Sequence, residues 1–223
     1  MKSKTDGVSE VSPGWSWSES GAVARAYQAE ARALVGEVID AIRYFNIDYF
    51  SERFRHGEVG PRSVVDDEEW KAPTWRHPAC DTIDFAVEVQ TASGRCFTGA
   101  WESPGEREGL GLRELPARGN AFREDTEVAV WDVTRSNGWR DVASRVVTGV
   151  VMRYLPWDTE GALWCDWLSI EFQTQTVEFL LAEGQADKPD TPQPSANNIA
   201  VIFGRDALPA WLGSRATSWT RPV

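Results

Sequence analysis

The chain has 223 residues, a net charge of −11, 42% hydrophobic residues and 26% charged ones. That is the composition of a globular protein with a sizeable core, and its acidity argues against a nucleic-acid binder, which needs a basic surface. No apolar stretch reaches the ~20 residues that span a bilayer, and the polar start MKSKTDGVSEVSPGWSWSES has no apolar centre of the kind a secretory signal carries.

In chain order, residues 1–19 read as a mobile arm. Ser20 suits an N-cap, and Val23, Tyr27, Ala31 and Leu34 recur at helical spacing, which predicts a helix over about 21–33. The next segment, EVIDAIRYFNIDYF, fits a helix by spacing and a strand by its Ile, Tyr and Phe content, with Gly36 as a break. A later segment decides for strand. Val38–Ile42 aligns with Val146–Val150, which is strongly strand-like. FAVEVQT (85–91) aligns with LSIEFQT (168–174), each followed by a return run, CFTGAW or VEFLLA. EVAVWD (127–132) aligns with NIAVIF (198–203), each trailed by a tryptophan, Trp139 or Trp211.

The expected fold is therefore α+β: mostly antiparallel β from two related strand-hairpin-strand units, with one N-terminal helix. The first unit with its helix covers 20–139, the second covers 140–212 and packs on the first, and 213–223 is a tail. The first unit carries two long insertions, about 51–80 and 102–126, which predict surface loops. A Pro-rich stretch, 182–196, predicts another loop inside the second unit.

Chemistry has few handles. The two histidines, His56 and His77, both fall in the first insertion, and no nucleophile elbow or phosphate loop is present. His77 and Cys80 have a ligand-like spacing that Cys96 and Cys165 could complete as a zinc site, but no second paired motif exists. Three cysteines are few and odd in number, which suits a reducing cytoplasm. No cofactor is expected. Asp66, Asp67, Glu68 and Glu69 run directly into Trp70, with Trp75 following. Carboxylates that steer encounter beside tryptophans that anchor it suit capture of a basic protein surface.

The SGRCF hairpin and the closing NIAVIF strand with its trailing tryptophan resemble β-rich bacterial proteins of immunity type, the kind encoded beside polymorphic toxins. The resemblance covers residues 34–211 and matches no catalytic or binding motif, so it assigns no residue a role. It implies a cytoplasmic, non-catalytic protein that occludes a toxin's basic site. The competing expectation is an enzyme or small-ligand binder whose cup is lined by Trp101, Trp131 and Trp164, with Glu102 or Asp132 at the rim. A third is a subunit of a larger assembly, with tryptophans in a permanent interface. A pocket holding a shielded carboxylate or histidine favours the small-ligand reading, and a flat, charged, Trp-studded surface favours the protein-binding one.

Overall fold

The computed structural model describes residues 17–18, 21–49, 60–102, 109–122, 126–136, 138–156 and 162–215. Its first elements are β1 (Trp17–Ser18), α1 (Gly21–Ala31, running into a 3-10 turn at Arg32–Leu34), β2 (Ile39–Ile47), β3 (Arg62–Ser63), α2 (Asp67–Lys71), β4 (Asp81–Ile83), β5 (Ala86–Thr91) and β6 (Cys96–Glu102). They are followed by β7 (Gly109–Arg113), β8 (Val128–Asp132), β9 (Gly149–Pro156), β10 (Leu163–Glu171), β11 (Thr176–Gln185), β12 (Lys188–Phe203) and α3 (Ala210–Arg215).

The strands form two six-stranded sheets. One runs β3-β8-β2-β5-β6-β7, antiparallel except for β3 on β8. The other runs β9-β10-β11-β12-β4, with β1 beside the start of β10. The main core lies between them. Ile42 and Tyr44 of β2, Val87 and Val89 of β5 and Trp131 of β8 meet Met152 of β9, Phe179 of β11 and Val201 of β12. The alternation seen in the sequence is what lets each strand give one side to this core.

The segment 39–47 is a strand, as its likeness to residues 146–150 suggested. Ile39 and Ile42 both reach the core despite their odd spacing because the β2–β5 register shifts between Ile39 and Ala41, a bulge that resets parity. Both sheets contain a meander of first strand and hairpin: β2-β5-β6 in one, β9-β10-β11 in the other. The fourth strands do not correspond. β8 pairs with β2, whereas β12 pairs with β11, and the place beside β6 is filled by β7. Two strands from earlier in the chain, β1 and β4, join the sheet of the second half.

Two expected loops are strands. GLGLR inside the second insertion forms β7, because its two leucines drop into the core, and Ala117 and Phe122 beyond it cover the outer face of β2 and β5. The Pro-rich stretch forms the near arm of β12, paired from Gln185↔Lys188 to Ala182↔Pro194. Proline is tolerated there because β4 pairs only with Ile199–Val201, so the outer edge of this arm carries no strand.

α1 closes one side of the sandwich. Gln28, 8% exposed, donates from Nε2 to Val150 O at 2.9 Å and accepts from Met152 N at 2.8 Å. Its amide thus takes the place of a neighbouring strand along the edge of β9.

Candidate functional site

The acidic segment folds as a short helix on the edge of the first sheet. Asp66 is its N-cap and accepts from Glu68 N at 2.8 Å, which satisfies a donor that the helix start leaves free. Asp66, Asp67 and Glu68 are exposed, and Val65 beside them is 85% exposed. Glu68 also meets Lys71 in a solvent-facing pair. Glu69 does not face outward. It takes two bonds from Arg62, 2.9 and 2.8 Å, and Arg62 in turn grips Asp48 at 2.7 and 2.8 Å. These two carboxylates raise the Arg62 pKa, so the clamp stays charged.

The tryptophans of this segment point inward. Trp75 is 1% exposed and packs edge-to-face on Tyr44, Trp70 and Trp131. Trp70 is half-buried, its Nε1 donating to Val64 O at 3.3 Å. The expectation that Trp75 anchors a partner is therefore corrected: its ring is core. The reason is local. β3 leaves its parallel pairing beside β8, and Trp70 lands 5.0 Å from the Trp131 ring.

The expected tryptophan cup is not formed either. Trp131 is 1% exposed in the core, and Trp101 is half-buried with its Nε1 donating to Asp84 O at 2.6 Å. Trp164 is half-buried. Asp132 is exposed and accepts from Thr134 Oγ1 at 2.6 Å, and the Glu102 side chain lies outside the described residues. The suggested metal ligands are scattered over different packing groups. Cys165 is in the main core, Cys80 is in the cluster under α3, and Cys96 opens β6. Burial pushes the Cys80 thiol up to about 11 and the Cys96 thiol up to about 12, so neither is a ready thiolate. His56 lies outside the described residues.

What the fold does build is a groove of about 380 Å³ at the open end of the second sheet. A tight hairpin forms one wall. His77 N donates to Cys80 O at 3.0 Å and Thr82 N donates to Trp75 O at 2.7 Å, with Pro78 at the corner. This hairpin is held down at two points. Gly184 N donates to Thr82 Oγ1 at 2.8 Å, and the His77 ring lies where a Cβ on Gly184 would be, 2.4 Å from its Cγ. Gly138 and Phe203 form the facing wall.

Asp81 is the distinctive group. Its register, Asp81↔Val201 with Ile83↔Ile199, puts it on the interior face of the sheet, where a charge is costly. Tyr44 donates its hydroxyl to Asp81 Oδ2 at 2.8 Å, and Trp139 Nε1 donates to the Tyr44 oxygen at 2.5 Å. Burial pushes the Asp81 pKa up to about 6, against the opposing pull of the Tyr44 hydroxyl and of Arg76. Burial and Asp81 together drive the Tyr44 pKa well up, so the phenol keeps its proton and orients the carboxylate.

Three buried carboxylates have a cationic partner. Asp48 meets Arg62, Glu88 meets Arg43 at 2.9 Å, and Glu178, fully buried, lies 3.5 Å from Arg205 while accepting from Trp167 Nε1 and Ser169. Asp81 has no such ion pair among the described residues. A shielded carboxylate that titrates near neutrality beside a cavity can anchor a donor or cation, or pass a proton.

Sequence parity contained a signal for Asp81 that spacing motifs do not capture. It sits two residues before Ile83, so on a strand it shares the apolar face. No family model, no curated protein and no solved structure matches the chain, so the groove stands on its own geometry.

Proposed function

We propose that the chain binds a small polar ligand in the groove, with Asp81 as the anchoring carboxylate. One observation carries this: Asp81 is held on an apolar face, with its pKa pushed up to about 6, beside a cavity and without an arginine partner. A carboxylate kept in that state lowers stability, and sites that do so cluster where ligands bind. The volume lies at the small end of ligand pockets, roughly 300–1,000 Å³. The experiment is a screen of small polar fragments by amide chemical shift. Hits are expected to move Ser136, Gly138 and Phe203, and cationic hits to be lost in Asp81→Asn. Hits that map elsewhere, or cationic hits that survive that change, reject the reading.

Protein binding by occlusion is the second reading, and Val65 favours it. An 85% exposed valine beside three exposed carboxylates, Asp66, Asp67 and Glu68, suits a rim contact with a basic partner such as a toxin domain. Its test is binding of a toxin domain encoded beside this gene, which the Val65→Ser/Asp66→Ser/Asp67→Ser/Glu68→Ser variant should weaken. Kinship of the two β units is also a proposal, supported by the shared three-strand order and limited to it.

A further inference from the structure

Two opposite charges face the groove without joining. Arg76 and Asp81 are partners across an antiparallel bridge, so their side chains leave the same face of the hairpin, roughly 5 Å apart at Cβ. Both line the groove. The Arg76 guanidinium stacks over the Trp75 ring, 4.8 Å from its centroid, and forms no ion pair among the described residues. It is close enough to lower the Asp81 pKa, yet the two remain apart. The Trp75 ring gives the exposed Arg76 cation a resting place and the Tyr44 hydroxyl orients the Asp81 anion, so both are partly arranged before any ligand arrives.

A ligand that satisfies both must carry a cation and an anion a few ångströms apart. From this we infer that the groove binds a free α-amino acid, its ammonium on Asp81 and its carboxylate on Arg76. The inference rests on the groove being the functional site. A planar guanidinium recognises a carboxylate with two parallel N–H bonds, and Oδ1 of Asp81, which takes no hydrogen bond from the described residues, can accept from an ammonium while Oδ2 keeps its bond from Tyr44. The facing wall of Phe203 and Ala207 offers apolar surface to the ligand's side chain, which favours an apolar amino acid over a charged one.

The test titrates L-leucine, N-acetyl-L-leucine and L-leucinamide into the full chain by calorimetry, with amide shifts to locate the site. L-leucine is expected to bind at the groove and each capped form to bind at least about tenfold more weakly, the worth of one charge-assisted contact. Asp81→Asn should weaken L-leucine yet leave N-acetyl-L-leucine unaffected, and Arg76→Gln should do the same for L-leucinamide. Arg118→Gln, away from the groove, should change nothing. Capped forms that bind as well as L-leucine overturn the inference. So does L-leucine that fails to bind at about 10 mM while other fragments still occupy the groove, a result that leaves the binding reading standing. If no compound perturbs the groove, both readings fall.

Discussion

The acidic turn and the groove hairpin occupy neighbouring stretches of one chain and treat their carboxylates in opposite ways. From Asp66 to Glu68 the charges stand in water, and Glu69 is locked to Arg62. At Asp81 a single carboxylate is held against an apolar sheet face and bonded to a buried phenol. The dense run is conspicuous in the sequence and costs little to maintain. The solitary Asp81 is inconspicuous and costs stability. Function is better sought where a charge is held against its solvation preference than where charges are numerous.

The largest effect belongs to the clamp beneath the turn. Arg62→Met removes the cation that serves Asp48, which is 5% exposed, and Glu69. A buried carboxylate left without its partner destabilises by about 3 kcal/mol, discounted for the partial exposure of Arg62. Urea unfolding should show that loss at unchanged slope. A loss under about 0.5 kcal/mol would mean that the turn is not braced at all.

Next comes the facing wall of the groove. Gly138 has φ +86°, and a Cβ there would lie 2.5 Å from the Phe203 ring. Gly138→Ala combines a disfavoured backbone with an overpacked contact and should cost about 2 kcal/mol. Thermal unfolding measures it. Because Trp139 follows directly and donates to Tyr44, near-ultraviolet circular dichroism should change as well.

These two sites also mark how far the sequence was legible. Strand content, the helix at the start and the two hairpins follow from period-2 and period-3.6 patterning, which is local information. The placing of β7 beside β6, and of β4 and β1 in the other sheet, is decided by which apolar faces must be covered, a three-dimensional matter that spacing does not carry. The packing around the acidic run is hidden for the same reason. Trp70 and Trp75 sit next to the acidic run in sequence, but a β-branched, aromatic core claims them, since burying a large ring outweighs exposing it at a surface. Asp81 was visible only through parity with Ile83, and Tyr44, its partner 37 residues earlier, had no sequence signal pointing to it.

A smaller effect, and one of opposite sign, is expected at Asp81 itself. Its folded pKa of about 6 lies above the ordinary aspartate value of 3.8. Between these values the folded chain holds a proton that the unfolded chain has released. Stability from this group is therefore present below about pH 4 and is lost as pH rises through 6, by at most about 3 kcal/mol. Asp81→Asn keeps the acceptor for Tyr44 and removes the titration. The variant should be more stable than the parent at pH 7.5, by about 1 kcal/mol once its own amide is partly unsatisfied, and the difference should shrink toward pH 4. A variant less stable than the parent at pH 7.5 would show that the carboxylate is structural and would remove the main reason for placing function at the groove.

The smallest effect is expected where the sequence is most charged. Asp66→Ser, Asp67→Ser and Glu68→Ser together delete three exposed carboxylates. Serine at position 66 can still cap α2 by accepting from the backbone. Position 67 has no ion pair among the described residues, and the pair from Glu68 to Lys71 is open to solvent, 77% and 67% exposed. Exposed pairs of this kind contribute from nothing to about 0.5 kcal/mol, so the unfolding midpoint should move by no more than that. The Arg62 clamp is untouched, because Glu69 remains. A loss above about 1 kcal/mol would mean that the turn holds its shape through those three carboxylates, and the contrast between a free acidic face and a constrained Asp81 would no longer stand.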